Sequence, residues 1–300
     1  MRHIPVLLNE VIDSLQLKPG FKVIDCTLGD AGHAEAILEK IGVKGKLFGI
    51  DTDAESLLRA KNNLYRFADQ TIFARSNFAD LKNIVEKNSF FTADAILMDL
   101  GWSTPQFKER GRGFTFAADE ILDMRFDASS NVPTAAEILN QSSIDDLYKI
   151  FHNYGEERLS LEIAEAIGEF RRNTEIKTTG QLVEIILKVY RQKLHTDREI
   201  PWVGGHHPAT KIFQALRIAV NREFELLKQA LPQALDILTK NGRLAVITFH
   251  SLEDRIVKQF FQKSSRLVRV VNKKPIVAGE KELLENPSAR SAKLRVVEKI

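Results

Sequence analysis

FKVIDCTLGDAGHAEAILEKIGVKGKLFGID, residues 21–51, decides the fold. It opens on FKVID (21–25), a short apolar run, β-branched and aromatic, closed by an aspartate, which reads as a strand. A turn of mostly small residues follows, from Cys26 to Gly32. Residues 33–41 then carry helical periodicity, and LFGID (47–51) is a second strand. Strand, turn, helix and strand in that order form a βαβ unit, because two parallel strands need a long crossover to join them. The rhythm continues through a helix at 54–67 and strands TIFA (71–74) and AILMD (95–99). The expectation is an α/β fold, a mainly parallel sheet with helices on both faces and a ligand crevice at the carboxyl ends of its strands.

The rhythm stops after Asp99. Residues 105–133 are rich in Gly, Arg, Asp and Phe and show no period. Helical patterning takes over from 134 to 193, with capping boxes at Thr134-x-x-Glu137 and Thr178-x-x-Gln181 and a weaker variant at Ser143-x-x-Asp146. These predict helices over 134–140, 143–153, 156–172 and 179–193, then a loop over 194–208. Ile212, Leu216, Val220, Phe224 and Leu227 form the apolar stripe of one long helix from about 209 to 230. A shorter helix near 233–239 stops at Asn241-Gly242. Strand LAVITF (244–249), a helix at 252–263, and strands LVRVV (267–271) and LRVVEK (294–299) resume the first pattern. The expected organisation is a sheet domain over 1–105 and 211–300 with an all-helical insert over 106–210.

Composition narrows the function classes. The net charge is +3, yet residues 265–300 hold nine Lys/Arg against four Glu, so the chain is not a uniformly basic coat and any polyanion handle lies near the C-terminal part. A solvated basic face is the plain alternative. The single cysteine, Cys26, excludes an intrachain disulfide and a Cys-based zinc cluster. No apolar run approaches the roughly 18 residues of a membrane span. The start, MRHIPVLLNE, reaches Asn9 and Glu10 before a signal-peptide core could form, so a cytoplasmic setting is expected.

The chemistry gathers at strand ends. In the turn Asp25 to His33 the glycines are spaced GxxG rather than GxGxxG, and Asp51 closes strand two, 22 residues after Gly29. A small-residue turn entering a helix offers backbone N–H groups, and an acid at the next strand end can hold a ribose diol. Together they point to a nucleoside-containing cofactor, against the alternative of an ordinary βα turn. Asn77-Phe78 follows strand three, where a ring can lie on a base or simply pack in the core. Asp99-Leu100-Gly101-Trp102-Ser103 ends strand four, a pattern suited to positioning an amine and stacking a base. Phe249, His250 and Ser251 end strand five on the substrate side of the crevice, with Ser251-x-x-Asp254 readable as a helix cap. Gln214, Arg217 and Asn221 share one helix face, and Arg110, Arg112 and Arg125 are placed to hold phosphates or to be solvated. His206-His207-Pro208 has no carboxylate at ligand spacing, so no catalytic metal is expected.

These segments, with others, make the chain resemble the RsmH (MraW) family of bacterial ribosomal RNA methyltransferases. The resemblance rests on HIPVLLNEV (3–11), DCTLGDAGH (25–33), GIDTD (49–53), NF (77–78), MDLGWSTPQ (98–106), LDMRFD (122–127), YGEER (154–158), HPATKIFQALRIAVN (207–221), ITFHSLEDRIVK (247–258), KKP (273–275) and ARSAKLRV (289–296). It implies a class I S-adenosylmethionine-dependent methyltransferase fold, Rossmann-like, with a seven-stranded sheet and a helical insert that recognises rRNA. It implies methyl transfer from S-adenosyl-L-methionine to N4 of a decoding-centre cytidine of 16S rRNA, in the small ribosomal subunit, and leaves a homodimer open. Cofactor contacts are implied at Ala31, Gly32, His33, Asp51, Phe78, Asp99 and Gln106. The substrate side is expected at Trp102, Arg125, Arg217, Asn221, Phe249, His250 and Ser251. Asp30 and Ala31 stand where the family has glycines, and Trp102 and Thr104 are larger than the usual residues.

Methylation of a cytosine ring carbon needs an attacking thiolate, and Cys26 lies beneath the cofactor turn rather than at strand four. Direct in-line attack by an exocyclic amine or a ribose oxygen remains. Asp99, or a backbone carbonyl of residues 99–101, is the expected partner of the amine. The rivals are an NAD-linked oxidoreductase, disfavoured by the GxxG spacing and the lack of a proton-relay pair, and a non-catalytic rRNA-binding assembly factor.

Overall fold

The computed structural model describes residues 4–100, 111–196, 198, 200 and 207–300. The chain divides into two compact units, Met1–Ser103 with Phe224–Ile300, and Thr104–Glu223. The second boundary therefore falls after Glu223, not at the expected 211.

The first unit is built on seven strands: β1 Lys22–Asp25, β2 Lys46–Asp51, β3 Thr71–Arg75, β4 Ala93–Asp99, β5 Leu238–Thr248, β6 Val268–Val270 and β7 Lys293–Lys299. Their order across the sheet is β3-β2-β1-β4-β5-β7-β6. The first five pair in parallel, and β7 runs antiparallel between β5 and β6. This is the mainly parallel α/β sheet expected. Successive residues of a strand face opposite sides, so a sheet covered on both faces needs continuous apolar runs. Ile24, Phe48, Ile50, Ile96, Met98, Leu244 and Val246 bury one face against the helices Leu81–Lys87 (α4), Glu223–Ile237 from Phe224 on, and Ser251–Lys263. Val23, Leu47, Ala95, Leu97, Ala245 and Ile247 bury the other against Leu8–Leu15 (α1), Gly32–Ile41 (α2) and Ala54–Asn63 (α3). Asp25, Asp51, Asp99 and Thr248 are the last residues of their strands, and the parallel arrangement brings these ends to one edge.

The second unit is helical, with helices Ala135–Gln141 (α5), Ile144–Gly155 (α6), Ser160–Phe170 (α7), Thr179–Leu194 (α8) and Thr210–Asn221 (α9) among its described residues. The capping boxes at Thr134/Glu137 and Thr178/Gln181 are both formed, and Ser143 accepts from Asp146 N–H. Leu147, Phe151, Ile163, Ile167, Leu182, Ile186, Ile212 and Leu216 are buried. Gly155 permits the closest helix contact: a Cβ there would stand 2.7 Å from the Lys211 carbonyl oxygen.

The expected long helix over 209–230 is interrupted. Arg222 takes φ 51°, which ends α9, and the helix Glu223–Ile237 (α10) begins at once. Pro232 sits inside α10, and the expected helix near 233–239 is its last turn. Asn241-Gly242 lies within β5, where the register against β4 jumps from Ala93↔Leu238 to Ala95↔Arg243. Helix α11 is Ser251–Lys263 and α12 is Glu280–Glu285. The sequence reading did not anticipate α1, α4 or α12. No described helix is long and apolar enough to cross a membrane.

Candidate functional site

Three strand-end aspartates and one turn define the site. The turn after β1 is tied at each side. Cys26 N–H donates to Leu97 O on β4 (2.9 Å), and Leu28 N–H donates to Ile50 O on β2 (2.9 Å). The turn then passes through two left-handed residues, Gly29 at φ 51° and Ala31 at φ 65°. A side chain in that region costs about 1–2 kcal/mol, a strain that surrounding structure must sustain. Ala31 is fully buried and precedes α2 without any side-chain cap. The first turn of α2 therefore has its N–H groups at the crevice with no side chain of the N-cap to accept from them. Gly32 is the first residue of that turn, and a Cβ there would meet the Pro5 ring at 3.0–3.2 Å.

Asp51 braces the turn from β2. Its Oδ2 accepts Gly29 N–H (2.8 Å) and its Oδ1 accepts Asp53 N–H (2.9 Å). Burial pushes this carboxyl above the usual range, and the Asp53 and Gly29 N–H groups oppose the rise. The carboxylate accepts these backbone donors and retains lone-pair capacity, the arrangement that suits a vicinal diol. Phe78 opens a short 3-10 turn after β3, whose first N–H groups are capped by Asn77 Oδ1 on Ala79 N–H (2.9 Å). The Phe78 ring is half-buried against the sheet core.

Asp99 closes β4. Its N–H donates to Thr27 Oγ1 (2.7 Å), so the two strand ends are joined across 72 residues. Thr27 N–H in turn donates to Asp25 Oδ1 (3.1 Å). Asp25 is buried, and burial pushes its carboxyl up to about 7 against the hydrogen bond from Thr27. His33, also buried, places Nε2 at 2.9 Å from Val6 O. A carbonyl only accepts, so Nε2 carries the proton. The other nitrogen, Nδ1, stands 3.7 Å from Asp99 Oδ2. His33 thus links the N-terminal segment, the turn after β1 and the β4 aspartate. Cys26 is buried in the core below, with its thiol pushed up by burial, which fits packing and not attack.

Asp30, one of the two unusual residues of the turn, is neutralised. Its Oδ1 accepts from Arg59 Nε (2.7 Å), and its carbonyl accepts from Asn63 Nδ2 (2.9 Å), both on α3. Arg59 also reaches Ser56 Oγ (3.2 Å), whose hydroxyl donates to the N-cap Asp53. The extra negative charge faces α3, which supplies its counter-ion.

The turn after β5 is closed on itself. His250, not Ser251, is the N-cap of α11: its Nδ1 accepts Glu253 N–H (3.4 Å). Glu253 folds back to accept Phe249 N–H (2.8 Å), and its other oxygen stands 3.1 Å from His250 Nε2. Ser251 is the first helical residue, and Asp254 is held by Arg295 through a two-pronged contact of 2.6 and 2.9 Å.

The expected substrate residues of the helical unit bond within it. Arg125 grips Asp123 (2.8 and 2.7 Å) and donates to Ser130 O. Arg217 forms a two-pronged pair with Glu223 (2.8 and 2.9 Å). Asn221 accepts Phe126 N–H and donates to Met124 O, both at 2.8 Å. These groups fix the segment 122–130, which carries Asp123 and Asp127. His207 stacks on Phe116 at 4.8 Å. Trp102, Thr104, Gln106, Arg110 and His206 lie outside the described residues.

Thus Ala31, Gly32, His33, Asp51, Phe78 and Asp99 are ordered along one edge of one sheet. Sequence reading missed Thr27, Asp25 and Arg59, which set the geometry of that edge. A hydroxyl residue two places after a strand-end aspartate is the only sequence signal for the first two.

The profile of the MraW methylase family matches residues 1–300. A protein of Oceanobacillus iheyensis named Ribosomal RNA small subunit methyltransferase H is 42% identical, over 99% of this chain and 94% of its own. One of the same name from Heliobacterium mobile is 43% identical over 99% of both chains. Among solved structures, an rRNA methylase from Streptococcus thermophilus is similar over 100% of this chain and 99% of its own at 11% identity and a TM-score of 0.45.

Proposed function

From the premise that the chain belongs to the MraW methylase family and is an S-adenosylmethionine-dependent methyltransferase, we propose that it methylates N4 of a decoding-centre cytidine in the 16S rRNA of the small ribosomal subunit, in the cytoplasm. The whole-length identity to two proteins named for small-subunit rRNA methylation carries this reading. The strand-end geometry supports it. The donor set fits the cofactor: a diol acceptor in Asp51, a half-buried ring in Phe78 for the adenine, and backbone donors at Gly32 and His33 for the amino-acid end, the Ala31 N–H being held by Leu28 O.

When bound, S-adenosylmethionine supplies an activated methyl group on its sulfonium. The chain's residues then have two tasks. Asp51, the turn and the start of α2 hold and orient the donor. Asp99 accepts a hydrogen bond from the cytidine amine, localising the nitrogen lone pair that delocalisation into the ring would otherwise weaken, and holds the proton the nitrogen must lose. Thr27 fixes the Asp99 backbone, and His33 sits beside its carboxylate. Gln106 and Trp102 belong to the same strand-four segment, and we assign them to the sulfonium end and the base. The helical unit is assigned to rRNA recognition. The target base must be unpaired or flipped out for its edge to be reached.

The test uses small ribosomal subunits from cells lacking this methyltransferase. Purified enzyme with labelled S-adenosylmethionine is expected to transfer one methyl to one decoding-centre cytidine, mapped as N4-methylcytidine. Label on a ring carbon, on a ribose, or on no rRNA at all refutes the assignment.

A further inference from the structure

Two family-matching segments, KKP (273–275) and ARSAKLRV (289–296), enter the site described above only through Arg295. Both come to the crevice end of the sheet. Lys293, the first residue of β7, pairs with Thr248, the last residue of β5. The chain after β6 follows β7 towards the same end: Val271 N–H donates to Val296 O, and Ile276 forms an isolated bridge with Leu294.

The segment is held tightly for one that buries so little. The Asn272 side chain makes three hydrogen bonds: it accepts Val296 N–H (2.7 Å) and donates to Leu294 O and Lys274 O (both 2.9 Å). Lys273 and Lys274, the next two residues, are exposed. Arg290 has the same setting, an exposed cation between the buried anchors Ala289 and Ala292. Three other cations of this part of the sheet are used internally. Arg295 holds Asp254, Arg269 holds Glu298, and Lys299 donates to the carbonyls of Leu235 and Leu238. Among the described residues Lys273, Lys274, Arg290 and Lys293 enter no ion pair. Glu282, the acid in the middle of α12, accepts Leu7 N–H instead. A backbone fixed by the Asn272 side chain thus presents cations that enter no ion pair at the mouth of the crevice.

We propose that Lys273, Lys274, Arg290 and Lys293 form a rim that binds the phosphates of the substrate RNA strand on the β5–β7 side of the crevice. This rests on the rRNA reading above. It gives the enzyme an electrostatic hold on the strand independent of the donor site.

The experiment measures methyl transfer to unmodified small ribosomal subunits over a salt series, with the full-length chain. Lys273→Gln with Lys274→Gln is expected to raise KM for the particle about three- to tenfold near physiological salt. It should flatten the log KM against log salt slope by about 1.4, roughly 0.7 per lost contact to a single strand. The value of kcat at saturating particle and the S-adenosylmethionine dissociation constant stay unchanged. Lys273→Arg with Lys274→Arg restores the wild-type slope. Lys40→Gln with Lys44→Gln removes equal charge at the opposite end of the sheet and leaves KM unchanged. A wild-type slope in the 273/274 glutamine variant, or the same loss in the 40/44 variant, overturns the rim alone. Wild-type enzyme that binds donor but methylates no small-subunit RNA overturns the rim together with the reading beneath it.

Discussion

Two βα turns leave the same edge of one sheet and end in opposite ways. After β5, His250 caps the helix and Glu253 returns to Phe249 N–H, so side chains of the turn take up its backbone donors. After β1, the helix starts from a left-handed, buried alanine with no side chain to cap it. That turn leans on its neighbours, Asp51 through Gly29 N–H and Ile50 and Leu97 through their carbonyls, and inside it Ala31 N–H returns to Leu28 O while no side chain caps the helix. The difference separates a finished joint from a cradle. A cap side chain at the second turn fills the space that anionic or polar ligand atoms would take, while its absence at the first leaves donors for a ligand. The strained Ala31 is consistent with a turn shaped for binding more than for stability.

The sharpest break of this comparison is at Asp99, which belongs to neither turn but is tied to the first through Thr27. Asp99→Ala is expected to lower kcat by about 10²–10⁴-fold at saturating donor, the usual range for a positioned proton acceptor. Near-normal turnover of small-subunit rRNA would refute its role. The second effect lies under the cradle. With its carboxyl pushed up to about 7 by burial, Asp25 stays protonated in the folded chain after it would have ionised in the unfolded one. Its contribution to stability is fully present below about pH 4 and is lost as pH rises through about 7, roughly 4 kcal/mol at most from a rise of about three units. Asp25→Asn cannot titrate, so the difference in unfolding free energy between wild type and variant should slope across that window. A flat difference from pH 4 to 8 would refute it. Groups of opposite sense cancel in the difference, such as Glu298, held below the usual range by its hydrogen bond from Arg243.

Much of this edge could be read from residues alone, for a physical reason. Strands buried on both faces give unbroken runs such as Ile96–Leu97–Met98, and a polar residue ending such a run marks the crevice. Asp51 and Asp99 were found that way. What stayed hidden were partnerships between distant positions. Thr27 and Asp99 are 72 residues apart, and Arg59 meets Asp30 only because α3 folds beside the turn. Local periodicity failed where the backbone changes without the pattern changing. The stripe Ile212, Leu216, Val220, Phe224, Leu227 runs in register through the break at Arg222, because a single left-handed residue leaves no trace in hydropathy. Asn241-Gly242 signals a turn but instead bulges a strand: Asn241 takes φ 65° and a Cβ on Gly242 would meet Thr239 O at 2.9 Å. The cap of α11 was placed one residue late, since serine caps far more often than histidine.

The closed turn offers the complementary test. Glu253 is buried, accepts Phe249 N–H and lies beside the His250 ring. Glu253→Ala leaves that N–H without its acceptor and should cost about 1–3 kcal/mol of stability. Thermal or urea unfolding would show the loss, while titration calorimetry should find S-adenosylmethionine affinity unchanged. Equal damage to donor binding would mean that the second turn shapes the cofactor site as well, and the contrast between the two turns would fail.

The smallest effect tests how this chain tolerates an aspartate in its cradle. Arg59 neutralises Asp30 from α3, and the pair is part-exposed, so its worth as a stability contact is about 0–1 kcal/mol. Its consequence for binding differs in kind. Without Arg59, the Asp30 carboxylate would stand uncompensated in the turn we assign to the donor's amino-acid end, and its tie to α3 through the side chain would be lost. Arg59→Met should therefore weaken S-adenosylmethionine binding by about two- to fivefold, with little change in melting temperature. Asp30→Gly removes the charge at its source. In that background Arg59→Met should have no further effect on affinity, because the arginine would have nothing left to neutralise. If the two substitutions act additively, Arg59 contributes through the Asp53 and Ser56 end of the network instead, and the cradle is held by the helix cap and not by the ion pair.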